Sequence, residues 1–411
     1  MIKDKSDKSV SFSTEICRNV GLMIRAKASV AGMKPYVNGR HSAELIRNHK
    51  KIIKLDSNES TIGPSPKVMS EILNYLQNGP LNWYPDVEST DLRARLVNYT
   101  GLPADHILTF NGSDHALETL ARTFLSLGDE VLYPHPSYDH FRVYAESCDA
   151  KLVPFLAQTD AELVAAIAQL RTEQTKILYL VNPNNPTGQL TAQKTIRELA
   201  ATYPTLLIVV DEAYFEFCGE TSAGLVLEFA NILVTRSFSK AFGLASLRCG
   251  YLLAAPQVAE QIERIRVGKN INALAQVAAT AALDDLESME RYVEDVHNAK
   301  AWLLERFLNY GLEAKDTPAN FLLFKAENPA RVMQFLELHN IYIRDRSQLP
   351  GLEGFLRISI GDQLIMKRFW KIFLQIPLEH LLPAQRLGLN FQEPFYQNPA
   401  TTPRHKERER L

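Results

Sequence analysis

Short, uniformly apolar runs alternating with amphipathic stretches constrain this sequence more than anything else in it. Between residues 107 and 235 the pattern predicts strands at 107–110, 130–133, 151–155, 177–181, 206–210 and 231–235. Helices are expected between them over 114–126, 138–147, 160–171 and 191–202. The runs ILYLV at 177–181 and LLIVV at 206–210 have no polar face. Strands of that kind are buried on both sides, which calls for a mostly parallel sheet covered by helices on each face. Ligands of such a sheet bind beyond the carboxyl ends of its strands. Upstream, Ser65-Pro66 opens a helix that stops at Asn78-Gly79, and a second helix covers about 89–99.

Past about residue 285 the strict alternation ends. A long charged helix is expected over 287–309, then strand 320–325, helix 328–339, strands 341–344 and 355–360, and a last helix over 363–375. The chain therefore reads as α/β, with a large domain over 60–285 and a smaller α+β domain built from 36–59 and 286–377. Residues 1–35 read as an N-terminal arm, and 378–411, which end in HKERER, as a solvated C-terminal tail.

Composition narrows the function classes. Apolar residues make up 46% and charged residues 22%, as in ordinary globular proteins. A formal net charge of -2 offers no broad basic face, so nucleic acid is not the expected partner and any anion must be held by a few arginines in a pocket. Cys17, Cys148, Cys218 and Cys249 form no CxxC pair, which suggests neither a zinc site nor a disulfide scaffold, and no metal is expected. With no leader-like or membrane-spanning apolar run, a soluble cytoplasmic protein is expected.

Four segments carry chemistry. Asp211 ends the strand LLIVV and begins DEAY, so a carboxylate reaches the sheet edge with the hydroxyl of Tyr214 three residues on; a lone strand-end aspartate more often caps a turn. VNPNNPTGQ at 181–189 is a turn stiffened by two prolines that aims the amide of Asn185 into the pocket. SFSKAFGLASLRCGYLLA at 237–254 gathers Ser237, Ser239, Lys240 and Arg248. Lys240, flanked by Ser, Ala and Phe, has few ways to reach water, and desolvation would lower its pKa and make it a Schiff-base former. FNGSDHAL at 110–117 opens a helix at Gly112-Ser113-Asp114, where free N–H groups attract an anion, although plain N-capping explains Ser113 or Asp114 as well.

The ordered set GSD, PSY, NPNNPTG, DEAYFEF, SFSKAFGLASLRCGY and IYIRDRSQLPGLEGFLRISIG, spanning roughly residues 34 to 377, resembles the fold-type-I pyridoxal-phosphate aminotransferases, and most closely the histidinol-phosphate aminotransferases. The resemblance implies pyridoxal 5'-phosphate as cofactor, carried on Lys240, with Asp211 paired to its ring nitrogen. It also implies Tyr214 and Asn185 on the ring hydroxyl and Tyr138 stacked on the ring. Arg248, Ser237, Ser239 and the amides of Ser113 and Asp114 would hold the phosphate. They would be joined by Tyr84 from a neighbouring subunit, and hence in a homodimer. Arg357 would grip the carboxylate of the 2-oxo acid, while Arg344 and Tyr36 would hold the phosphate of a small amino donor. An aromatic aminotransferase and a threonine-phosphate decarboxylase-like lyase are the alternatives. Ser60-Thr61-Ile62 and Ser246 depart from the family pattern and point to an altered substrate.

Overall fold

The computed structural model of the protein describes residues 25–35 and 52–386. Tyr36 and Cys17 lie outside the described residues. In chain order the strands are β1 (Ile53–Lys54), β2 (Ile107–Phe110), β3 (Glu130–Pro134), β4 (Lys151–Phe155), β5 (Thr175–Val181), β6 (Leu207–Asp211), β7 (Ile232–Ser237), β8 (Gly250–Ala254), β9 (Ala314–Lys315), β10 (Phe321–Lys325), β11 (Ile341–Tyr342), β12 (Arg344–Asp345) and β13 (Phe355–Ser359).

β2 to β8 form one seven-stranded sheet in the order β2-β8-β7-β6-β5-β3-β4. All pairings among β3 to β7 are parallel, as the apolar runs require. The two-residue period of a strand sends alternate side chains into separate layers. Ile177, Tyr179, Val181, Val209 and Leu233 pack on one face, and Leu178, Leu180, Ile208, Val210 and Val234 on the other. β8 was not foreseen as a strand of its own. It runs antiparallel to both neighbours, β7 and β2, and that reversal shapes the site described below.

Local signals explain the helix ends. Ser65 Oγ accepts the Val68 N–H at 3.3 Å and Pro66 opens the helix Pro66–Asn78, as the sequence predicts. Two helices, Pro256–Glu263 and Ala273–Leu283, escape the periodicity. The second, ALAQVAATAAL, packs against both Pro66–Asn78 and Thr90–Thr100, so it is apolar almost all round and shows no single stripe.

The long helix Leu286–Asn309 leads into a four-stranded antiparallel sheet of order β12-β13-β10-β9. Phe307, Phe324, Phe369 and Phe373 interlock there, the first two with ring centroids 4.8 Å apart. The strand expected over 341–344 divides: β11 pairs in parallel with β1, and β12 pairs with β13. The solvated tail expected from 378 does not hold for the first residues of that range. Helix Leu378–Leu381 is ordered, and Leu381 and Leu382 are buried in the same core, an apolar anchor masked in sequence by the polar residues after it.

Candidate active site

The carboxyl ends of β2, β5, β6 and β7 converge on a cavity of about 490 Å³, whose far wall comes from residues 54–59, β12 and β13. Lining it are all but two of the residues given a catalytic, cofactor or substrate role above: Ser113, Asp114, Tyr138, Asn185, Asp211, Tyr214, Ser237, Ser239, Lys240, Arg248, Arg344 and Arg357. Tyr36 is outside the described residues. Tyr84 is 78% exposed and absent from this cavity, with Lys269 Nζ 3.7 Å from the centre of its ring.

One corner is built for an anion. Because β8 runs backwards, the residues that precede it return to the carboxyl edge of the sheet, and Arg248 arrives beside the helix Ser113–Phe124. Arg248 has φ +56°, a left-handed backbone that costs a non-glycine residue about 1–2 kcal/mol. Its Nη2 donates to Asp114 Oδ2 at 3.1 Å and its Nη1 to Ala245 O at 3.1 Å. Two glycines permit the close approach. A Cβ on Gly112 would stand 2.7 Å from Arg248 Nη2, and one on Gly250 would stand 2.6 Å from Ser113 N and 2.8 Å from Arg236 O. The Ser237 and Ser239 side chains sit at the same corner, Ser237 Oγ accepting the Ser239 N–H at 3.1 Å. Against the cost of burial, His140, Arg248 and Tyr138 hold the Asp114 carboxyl below its usual range.

Asp211 is buried at the end of β6, and burial pushes its carboxyl up to about 6. Tyr179 donates to Oδ2 at 3.0 Å, whereas Oδ1 has no hydrogen-bond partner among the described residues. An orphaned buried carboxylate oxygen is costly, and a cationic ring nitrogen would satisfy it. Lys240 Nζ donates to Ser57 O at 3.0 Å. Burial first, then the neighbouring Arg357, lower its ammonium to about 8. A lysine with a weakened hold on its proton is a nucleophile and a base near neutral pH. The residues present therefore fit pyridoxal phosphate: an amine for its aldehyde, an unsatisfied carboxylate for its ring and an anion corner for its phosphate.

Arg357 on β13 is the most enclosed cation at the site. It is 3% exposed, donating from Nη1 to Asn185 Oδ1 and from Nη2 to Asp56 O at 2.6 Å. Arg344 lies opposite it in the strand register. Several neighbours were not legible in sequence. Asn58 Nδ2 donates to the Tyr214 hydroxyl at 2.9 Å and is itself fixed by Ser359. Tyr179, the one polar side chain in ILYLV, carried a signal, since a buried phenol needs a partner. Of the departures noted above, Ser246 lines the cavity, while Thr61 Oγ1 donates instead to Asp362 Oδ2 at 3.1 Å, tying the N-terminal segment to the helix Gln363–Phe373.

Comparison with known proteins agrees with this geometry. The family model described as aminotransferase class I and II matches residues 50–371. A dihydroxyacetone phosphate transaminase of Campylobacter jejuni is 36% identical over 348 residues, covering 83% of this chain and 94% of that protein. A histidinol-phosphate aminotransferase of Symbiobacterium thermophilum is 36% identical over 356 residues, covering 84% and 97%. The crystal structure of histidinol-phosphate aminotransferase from Sinorhizobium meliloti with pyridoxal-5'-phosphate superposes with a TM-score of 0.76 at 25% identity, covering 86% of this chain and 97% of that one. The chain thus belongs to the class I and II aminotransferases, as an enzyme of the fold-type-I architecture that works with pyridoxal 5'-phosphate.

Proposed function

We propose that this aminotransferase moves the amino group between L-histidinol phosphate and 2-oxoglutarate, acting in the cytoplasm as a homodimer. The observation that carries the reading is a single cavity in which a lysine of lowered pKa, a buried aspartate with an unpartnered oxygen and four arginines, Arg248, Arg344, Arg346 and Arg357, meet. Relatives named for phosphate-bearing substrates support it.

What the cofactor supplies when bound is an aldehyde that condenses with amines and an electron-withdrawing ring. In this reading Lys240 would carry it, Asp211 Oδ1 would pair with its ring nitrogen, and Tyr138 would cover the ring. Tyr214 and Asn185 hydrogen-bond the ring hydroxyl, with Asn58 fixing the Tyr214 phenol. The phosphate takes the corner of Ser113, Asp114, Ser237, Ser239 and Arg248. Lys240 Nζ removes the donor's α-proton and returns one to the acceptor, a task suited to a group titrating near the working pH. Arg357, held flat by Asn185 and Asp56 O, offers a fork to the carboxylate of the 2-oxo acid. Arg344 and Tyr36 take the donor phosphate.

Tyr84 reaches the neighbouring subunit's phosphate corner. Its own segment exposes Leu81, Trp83 and Tyr84, and the preceding helix exposes Leu73 and Leu76, apolar surface suited to a second copy of the chain. A reducing compartment suits Cys148, Cys218 and Cys249, which are all free thiols. Among the described residues, no helix is long and apolar enough to cross a membrane.

A second reading, amino transfer to dihydroxyacetone phosphate, follows from the Campylobacter relative. Turnover of glutamate with imidazole-acetol phosphate and with dihydroxyacetone phosphate, measured side by side, decides between them. Efficient turnover of phenylalanine or tyrosine with neither phosphate compound would overturn both.

A further inference from the structure

The cavity that holds Lys240 does not end at Arg344. It shares Tyr138, Asn185, Arg344 and Arg346 with a second and larger cavity, of about 940 Å³, so these four residues form the neck between the two. Two of the four are arginines of one strand segment. Side chains two positions apart on a strand leave it on the same side, about 6.5–7 Å apart at their roots. The Arg346 N–H donates to Phe355 O at 3.1 Å, which carries the β12–β13 ladder one residue beyond Asp345 and keeps Arg346 in step with Arg344. Asp345, between them, turns away and accepts the Ser347 N–H at 2.8 Å. The Arg346 side chain is directed inward: its Nε is buried, and its charge acts on the Tyr214 phenol together with that of Arg357.

The geometry points to Arg346 as a further substrate-binding residue that, with Arg344, clamps a dianionic phosphate at the neck and sets the preference for phosphate-bearing donors. The inference rests on the proposed function and adds a residue that the family motif did not single out. A carboxylate is a monoanion satisfied by one guanidinium fork, and Arg357 offers that fork on the Asn185 side. A phosphate monoester carries up to two charges and three acceptor oxygens, which matches two guanidinium groups side by side. The donor class is then a small primary amine whose phosphate lies at the neck while its α-carbon faces Lys240.

The test is the ratio of kcat/KM for L-histidinol phosphate to that for L-histidinol, in the holoenzyme and in Arg346→Gln and Arg346→Lys. Loss of one charge-assisted contact should lower this ratio about 10- to 100-fold in Arg346→Gln. Arg346→Lys should recover part of the ratio, since charge returns without the fork. In parallel, inorganic phosphate should inhibit wild type competitively against the phosphate donor, and more weakly in Arg346→Gln. A wild-type enzyme that prefers the phosphate donor, together with an Arg346→Gln ratio that is unchanged, overturns the role of Arg346 and leaves the proposed function standing. A wild-type ratio near one removes both.

Discussion

Lys240 should destabilise the protein that depends on it, and the size of the effect follows from its surroundings. The lysine is only partly exposed, and burial and Arg357 lower its ammonium from 10.5 to about 8. That gap corresponds to about 3 kcal/mol of disfavoured charge in the folded, cofactor-free protein. The unfolded chain holds its proton more tightly than the folded one, so below about pH 8 both states are charged and the whole penalty is felt. Between about 8 and 10.5 the penalty fades as pH rises, and above that both states are neutral. Lys240→Met keeps the apolar stem and deletes the charge, at the loss of the hydrogen bond to Ser57 O, about 1 kcal/mol. The cofactor-free variant should therefore be more stable than its parent by about 2 kcal/mol at pH 7, water in the cavity trimming the gain, and should lose that advantage by about pH 10.5. Urea unfolding of the two cofactor-free proteins across this range measures it, since the other titrating groups cancel in the difference. Equal stability at pH 7, or an advantage that does not change with pH, would refute the argument.

Two more outcomes follow from the geometry. Gly250→Ala places a methyl group 2.6 Å from Ser113 N without touching a ligand. It should cost about 1–3 kcal/mol of stability and weaken cofactor retention at least roughly tenfold, and an unchanged pyridoxal-phosphate dissociation constant in a spectral titration would count against the packed phosphate corner. If Tyr84 serves the neighbouring subunit, Tyr84→Ala and Lys240→Ala subunits, each weak alone, should regain about a quarter of parental activity when unfolded together and refolded as random dimers. Absence of complementation, with mixed dimers demonstrated, would return Tyr84 to its own subunit or to none.

How legible the protein was in sequence depended on where side chains meet their partners. The parallel strands announced themselves because both faces are buried, and the ends of β5, β6 and β7 delivered Asn185, Asp211 and Ser237 where the runs stop. β8 was hidden because GYLLA follows the Lys240 loop without a turn signal, and a run of five cannot declare its direction. The Ala-rich helix 273–283 was missed for the opposite reason, having no polar face to set a period. Asn58 and Arg346 depend on tertiary neighbours from distant parts of the chain or on a strand register, neither of which local spacing encodes. Thr61, expected to bear on substrate, proved to be a tie to Asp362.

The two-residue pairing of β1 with β11, Ile53 against Ile341, has a consequence for how the enzyme is born. It joins an early segment to a late one, and with it come Ser57 and Arg357, which share the far wall of the cavity, Arg357 donating to Asp56 O. On a ribosome, the seven-stranded sheet and Lys240 emerge well before residue 341, so the nascent lysine waits without the wall that encloses it. Contacts this remote in sequence form late and slowly. The lowered pKa of Lys240 should therefore be established only once β13 has folded against residues 54–59.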